Sequence, residues 1–255
     1  MTLDARERGQ AAAVTEDRLL GGRVRLAQAA QGYRVALDPV LLAAVVPAVS
    51  GEAVLDLGCG SGAAALCLLA RVQGLAATGL EIDPAAAALA RSNAAANGQA
   101  QRFQVLEGDV GAPPQALQAL CFDHVLSNPP YLDPDKARLP ADPERRRSHA
   151  ETGAALAVWI DLALRRLRDR GTLTLVHRAE RLDEILAALA GRAGEVVICP
   201  LWPGSGKPAK RIVVRARKGS RTPLTLHPGL VLHRSDGGFT PEAEAVLRDA
   251  AALDL

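Results

Sequence analysis

From Ala53 onward the chain alternates short β-rich runs with Ala- and Leu-rich helical stretches, and no other feature limits the fold so tightly. Parallel neighbouring strands need a crossover connection, and a helix is the usual one, so this alternation builds βαβ units. Strands are expected at Ala53–Leu57, Ala76–Leu80, Arg102–Leu106, Phe122–Leu126, Gly171–His177, Glu195–Cys199 and Arg211–Ala216. Helices are expected at Gly62–Arg71, Pro84–Asn97, Pro114–Leu120, Gly153–Asp169 and Glu180–Ala190, with Pro84 and Pro114 near starts, where a missing N–H is harmless. The outcome is an α/β fold with a seven-stranded, mostly parallel sheet and helices on both faces. The segment Trp202 to Pro208 is too short and too rich in Pro and Gly for a crossover helix, so the last strand is expected antiparallel to its neighbour.

The flanks read differently. Arg23-Val24-Arg25-Leu26 alternates polar and apolar after Gly21-Gly22, which suggests a short hairpin, followed by a helical run at Pro39–Val49. Thr222–Leu226 and Leu230–His233 read as a second small hairpin, and Pro241–Ala252 as a terminal helix. One domain over residues 1–255 is the economical organisation, with an N-terminal hairpin and helix (1–52), a core (53–216) and a C-terminal hairpin and helix (217–255). Hydrophobic residues are 49% of the chain but aromatics only 3%, so the core must be packed mostly with Ala, Leu and Val. The longest apolar run, Val40 to Val49, is interrupted by Pro47 and falls short of the ~20 residues that cross a bilayer. No secretory signal is visible at the N-terminus, and a cytoplasmic protein with no membrane partner is expected. Cys59, Cys67, Cys121 and Cys199 stand far apart with no metal-ligand spacing, so they read as free thiols, and no metal is expected.

The first strand runs into Asp56-Leu57-Gly58-Cys59-Gly60-Ser61-Gly62 and then directly into a helix. Glycines there permit a tight turn and let a ligand approach the backbone. The second strand ends in Glu81-Ile82-Asp83, which puts Glu81 where a carboxylate can accept both hydroxyls of a ribose. The third ends in Glu107-Gly108-Asp109, and Asp109 could accept from an adenine amino group. Gly58-x-Gly60-x-x-Ala63 also fits a dinucleotide fingerprint, but Asp56 and Gly62 complete the D-x-G-x-G-x-G form, and no proton relay for hydride transfer is evident. S-adenosyl-L-methionine, an adenosyl cofactor without a pyrophosphate, is the better ligand.

The fourth strand leads into Asn128-Pro129-Pro130-Tyr131. The paired prolines hold the backbone extended and rigid. An amine conjugated to a ring or carbonyl is a poor nucleophile, so two acceptors must hold its N–H groups while its lone pair faces the methyl sulfonium. The Asn128 side-chain oxygen and the Pro129 carbonyl could be those acceptors, and the Tyr131 ring could stack on a planar substrate. The proton can leave after transfer, so no strong base is needed beforehand.

With these two motifs the sequence resembles the Rossmann-like class I S-adenosylmethionine-dependent methyltransferases of the N6-adenine type. Within them it is most similar to the bacterial tRNA(Val) adenine-37 N6-methyltransferases. That narrower resemblance is carried by Asp17-Arg18-Leu19-Leu20-Gly21-Gly22-Arg23, by Gly32-Tyr33-Arg34 through Asp38-x-x-Leu41-Leu42-Ala43, and by Lys207-Pro208-Ala209-Lys210-Arg211. It implies methyl transfer to adenine N6 in a tRNA anticodon loop, with S-adenosyl-L-homocysteine as product. Asn128, Pro129, Pro130 and Tyr131 would hold the target amine. Tyr33, Asp38, Asp56, Gly58, Cys59, Gly60, Gly62, Glu81, Ile82, Asp109, Val110 and Asn128 would form the cofactor site, with Asp38 near the methionine end.

Between Val196 and Ser235 there is no acid but there are eight Lys and Arg, in a chain whose net charge is only +2. Such a segment suits a polyanion. The resemblance gives it a purpose: Lys207, Lys210, Arg211, Lys218 and Arg221 would hold the RNA so that a loop base can enter the pocket at a lower unstacking cost than a paired one. His124 and His177 read as structural, Trp159 as helix core and Trp202 as packing, while the roles of His149 and of the loop Arg138 to Glu151 stay open, as do the alternatives of monomer and homodimer. Two other readings compete. One is a protein N5-glutamine methyltransferase, whose amide nitrogen is similarly conjugated. The other is a catalytically silent RNA-binding module.

Overall fold

A computed structural model describes residues 14–30, 37–130 and 155–255. In chain order the elements are β1 (Val14–Leu19), β2 (Val24–Ala29), α1 (Asp38–Val45), β3 (Ala53–Leu57), α2 (Ala63–Arg71), β4 (Ala76–Glu81), α3 (Pro84–Ala96), β5 (Phe103–Glu107), α4 (Gln115–Gln118) and β6 (Phe122–Ser127). They continue with α5 (Leu156–Arg166), β7 (Leu167–Arg178), α6 (Leu182–Leu189), β8 (Ala193–Trp202), β9 (Arg211–Lys218), β10 (Thr225–Leu226), β11 (Leu230–Val231) and α7 (Pro241–Asp249).

The main sheet runs β10-β8-β9-β7-β6-β3-β4-β5, with β11 also on β8. Strands β7, β6, β3, β4 and β5 are mutually parallel, as βαβ crossovers require. Strand β9 is antiparallel, as expected, and lies between β7 and β8 rather than at an edge. Chain order reverses at β3, whose neighbours are β4 on one side and β6 on the other. A sheet of this kind opens a crevice at its carboxyl edge beside such a switch.

The N-terminal hairpin forms as expected, with Leu19 opposite Val24 across a turn at Leu20–Gly22. The C-terminal hairpin does not. Strands β10 and β11 pair in succession with β8, both parallel to it, so among the described residues the sheet has nine strands rather than seven. His227-Pro228-Gly229 looks like a hairpin turn in sequence, yet it is a bulge in one interrupted edge strand. His227 N–H still donates to Ile198 O at 2.9 Å, and Trp202 Nε1 reaches across to Pro228 O at 3.0 Å. Gly229 has φ +93°, and a Cβ there would lie 2.3 Å from Trp202 Nε1, so the indole packs under the bulge.

The expected helix at Gly153–Asp169 ends sooner, at Arg166, because β7 starts at Leu167, opposite Phe122. Other helix starts follow local chemistry: Asp83 caps α3 by accepting from Ala85 N–H at 2.9 Å, and Thr240 caps α7 by accepting from Ala243 N–H at 3.2 Å. Each face of the sheet carries its own core. Helices α1, α2, α3 and α7 cover one through residues such as Leu41, Leu66, Ala90 and Val246, while α4, α5 and α6 cover the other through Leu117, Ile160 and Ile185.

Candidate active site

The strand register builds the site. Leu57 at the end of β3 pairs with Leu80 of β4 and with Ser127 of β6. The next residue of each strand is therefore Gly58, Glu81 or Asn128, side by side at the strand spacing of about 4.8 Å. Ser127 Oγ donates to Leu57 O at 2.8 Å and fixes β6 against β3 immediately before Asn128. Asn128 is half-buried, Pro129 buried and Pro130 exposed.

The turn after β3 has Gly58, Gly60 and Gly62 in the left-handed region, at φ +70°, +55° and +87°. They are not equivalent. A Cβ on Gly58 would meet the Trp159 ring at 2.7 Å, and one on Gly62 would meet Phe103 at 2.8 Å, whereas one on Gly60 would meet nothing within 4 Å. Two glycines therefore seat the turn on the protein, and the middle one faces open space. From β4, Leu80 O accepts from Gly58 N–H at 2.8 Å and Cys59 N–H at 3.1 Å. The Glu81 carboxylate accepts from Gly60 N–H at 2.8 Å and from Asp83 N–H at 2.9 Å, so it sits at the lip of the turn. Beside it Ile82 is 43% exposed, an apolar surface next to a carboxylate. Asp109 Oδ1 accepts from Gly111 N–H at 2.8 Å at the end of β5.

Three of the expected cofactor residues lie beneath this surface. Asp56 is 2% exposed and accepts from Ala65 N–H at 3.2 Å, in the first turn of α2. Burial raises its pKa to about 7, the Ala65 N–H offsets part of that, and the Glu81 charge adds to it. Cys59 packs against Gly79, where a Cβ would come within 2.6 Å of its sulfur, and burial with the neighbouring Asp56 and Glu81 charges pushes the thiol well above its ordinary range. Val110 belongs to the core of the α4–α6 face. Asp56 and Val110 thus support the site from below, and Cys59 presents only its backbone to it.

On the other side of the switch, buried Asp38 at the start of α1 pairs with Arg211 Nε at 2.6 Å, and Arg211 lies opposite Arg178 at the carboxyl end of β7. Lys207 and Lys210 are exposed in the turn leading to β9, at this same edge. Lys218 and Arg221 are not there. Strand β9 runs away from the site for eight residues, about 23 Å, and Lys218 Nζ donates to Leu167 O at 2.7 Å at the amino edge. The five basic residues expected to hold RNA therefore do not share one edge: antiparallel β9 sends its two ends to opposite edges, and Arg217, next to Lys218, pairs with Glu195 at 2.8 Å.

His124 bonds Thr172 Oγ1 at 2.7 Å and Glu52 Oε2 at 2.9 Å, away from the site edge, as a satisfied structural histidine does. His177 is 1% exposed, and burial, then the Arg181 charge, lowers its pKa to about 4, so it is neutral at pH 7. Tyr33, Tyr131, His149 and the loop Arg138 to Glu151 lie outside the described residues. Among the described residues no group of three or more His, Cys, Asp or Glu could hold a metal ion, and no helix is long and apolar enough to cross a membrane. Sequence reasoning missed Asn93 of α3 and Asn97, which caps that helix. Both bond the backbone of β2, and the available signal was two poor helix formers four apart in an Ala-rich helix.

A glycine turn and an Asn-Pro-Pro end flanking the switch of such a sheet define a methyl-transferring enzyme, and the comparisons agree. Residues 37–196 match the family model described as methyltransferase small domain, and the chain belongs to that family. It is 32% identical over 225 residues, 85% of this chain and 86% of the relative, to a tRNA1(Val) (adenine(37)-N6)-methyltransferase of Yersinia pestis (strain Pestoides F). A relative of the same name from Yersinia pseudotuberculosis serotype O:1b (strain IP 31758) matches equally, at 32% over 225 residues, 85% of this chain and 86% of its own length. Among solved structures, a predicted O-methyltransferase from Agrobacterium tumefaciens superposes with TM-score 0.72 at 30% identity, over 86% of this chain and 99% of that one. TrmN from Thermus thermophilus, with TM-score 0.50 at 21% identity over 72% of this chain and 50% of that one, attests the fold.

Proposed function

We propose that this enzyme transfers a methyl group from S-adenosylmethionine to the N6 amine of an adenosine in a tRNA anticodon loop. The observation that carries the reading is the row Asn128, Gly58 and Glu81 on three adjacent strand ends, which sets an amine-holding group beside a nucleoside-shaped cradle. The residues present fit the cofactor. Gly60 leaves open backbone, Glu81 offers a carboxylate of the kind that takes ribose hydroxyls, Ile82 offers an apolar flank for a base, and Asp109 offers an acceptor beyond it. When bound, the cofactor supplies an electrophilic methyl group on a sulfonium.

The chain's own residues do the rest. The Asn128 side-chain oxygen and the Pro129 carbonyl accept the two N–H groups of the exocyclic amine and turn its lone pair out of conjugation with the ring. Pro129 and Pro130 hold that geometry at little entropic cost. Asp38 and Arg211 brace the end of β7 next to it, and Lys207 and Lys210 provide exposed positive charge for the RNA backbone on the same edge. We assign these parts to one methyltransferase domain spanning residues 1–255 that works in the cytoplasm, where its RNA substrate is.

The experiment is incubation with tritiated S-adenosylmethionine and unmodified tRNA(Val) transcript, with release factors in a parallel tube, followed by nucleoside mass spectrometry. Label recovered as N6-methyladenosine is the expected result. Label in protein alone would replace this reading with glutamine methylation, and label in neither would remove the RNA substrate assignment.

A further inference from the structure

In an antiparallel hairpin, β2 spends the backbone groups of alternate residues on β1 and turns the others outward. Among the described residues those outward groups, on Arg25 and Ala27, meet no third strand. They meet the side of α3. Ala27 N–H donates to Asn93 Oδ1 and Ala27 O accepts from Asn93 Nδ2, both at 2.8 Å. Arg25 N–H donates to Asn97 Oδ1 at 2.8 Å and Arg25 O accepts from Asn97 Nδ2 at 2.7 Å. Residues four apart on a helix rise about 6.0 Å, and residues two apart on a strand about 6.6 Å, so two carboxamides at this spacing imitate the edge of a strand.

The two asparagines differ in what else they hold. The second N–H of Asn97 goes back to Asn93 O, in the last turn of α3, at 2.7 Å. The second N–H of Asn93 goes to Ser61 O at 2.9 Å. Ser61 lies between Gly60, which faces open space, and Gly62, whose N–H donates to Cys59 O at 2.8 Å and whose carbonyl accepts from Leu66 N–H of α2 at 2.9 Å, while Gly58, Cys59 and Gly60 tie the turn to β4. Asn93 is only 2% exposed, and its amide makes two hydrogen bonds to the hairpin and one to the glycine turn. Without Asn93 the Ser61 carbonyl loses its anchor to α3.

We propose that Asn93 is a positioning residue for the cofactor turn: it holds Ser61 and sets the Gly60–Gly62 backbone for S-adenosylmethionine, while Asn97 only seats the hairpin. This rests on the identity of the cofactor and not on the choice of RNA, so it is tested without substrate. S-adenosylhomocysteine is titrated into the wild-type, Asn93→Ala and Asn97→Ala proteins by calorimetry, with thermal melts of each. Asn93→Ala should weaken binding about tenfold, the worth of one hydrogen bond that orders a turn, while Asn97→Ala stays within about twofold despite losing as many bonds to β2. In activity assays Asn93→Ala should raise KM for the cofactor and keep kcat.

Equal weakening in both variants, or none in Asn93→Ala, would overturn the proposal and leave a purely structural clamp. Failure of the wild type to bind S-adenosylhomocysteine would overturn the cofactor assignment as well. Should Asn93→Ala not fold, the wild type decides by NMR. The Asn93 side-chain amide should shift on saturation with S-adenosylhomocysteine while that of Asn97 stays, and an unmoved Asn93 amide would refute the coupling.

Discussion

The two halves of the carboxyl edge are built by different physics. Around β3, β4 and β5 the edge is built of backbone atoms and of carboxylates fixed by backbone: Leu80 O and Glu81 hold the glycine turn, and Gly111 N–H holds Asp109. Around β7, β9 and β8 it is built of long cationic side chains held by acids. Arg178 pairs with Glu180 at 3.0 Å, Arg211 with Asp38 at 2.6 Å, and Arg234 with Asp236 at 3.1 Å. The first arrangement loses little entropy on binding and suits a ligand that is the same at every turnover. The exposed Arg178–Glu180 and Arg234–Asp236 pairs exchange partners readily, because such pairs are worth only about 0–1 kcal/mol, while Arg211 stays on buried Asp38, and the arrangement suits a large polyanion that must be gripped and released.

The sharpest way to separate the halves is Asn128→Ala, at their junction. If Asn128 holds only the target amine, kcat should fall at least about a hundredfold while affinity for S-adenosylhomocysteine changes less than about twofold. A parallel loss of cofactor affinity, read by calorimetry, would mean that the junction cannot be divided this way.

A smaller effect tests the cationic half. Lys207→Gln with Lys210→Gln removes two exposed charges at the site edge and should make the slope of log K against log salt for tRNA binding shallower by about 1.4. Lys218→Gln with Arg221→Gln alters the same net charge at the opposite edge and should leave that slope unchanged. Filter binding from low to moderate salt distinguishes the pairs. Equal changes would restore a continuous basic face, contrary to the course of β9.

Legibility followed the same division. The cofactor half could be read from sequence because its chemistry is short-range: strand, Asp56-x-Gly58-x-Gly60-x-Gly62, helix, and then Glu81 and Asp109 at the next two strand ends, each located by counting along a βα unit. Asn128 fell in place because β6 pairs with β3 in register. The basic segment could be read only as composition. Which end of β9 faces the site depends on its insertion between β7 and β8, a long-range fact, so composition alone does not show that Lys207 and Lys210 lie at one edge and Lys218 at the other. The terminal hairpin failed for a related reason, since Pro228-Gly229 marks a turn and a bulge equally well, and only pairing with β8 decides. Asn93 and Asn97 escaped because a helix that completes a strand edge has no local signature beyond their spacing. Asp56 and Val110, expected in the cofactor site, are buried beneath its surface, which spacing along the chain does not reveal.

The smallest expected effect concerns Asp56, the carboxylate that the preorganised half keeps below its surface. Burial raises its pKa from 3.8 to about 7, so the folded protein keeps this proton over a range in which the unfolded chain has released it. Stability therefore declines as pH rises from about 4 to about 7 and levels off above, because the unfolded state binds fewer protons throughout that window. Asn in its place keeps an oxygen for Ala65 N–H and does not titrate. Melting curves of wild type and Asp56→Asn should coincide near pH 4, diverge in favour of the variant up to pH 7, and run parallel beyond it. A variant less stable than wild type at pH 8 would show that the ionised carboxylate strengthens its bond to α2 by more than burial penalises it, and the floor of the cofactor half would then be held by charge, as the cationic half is.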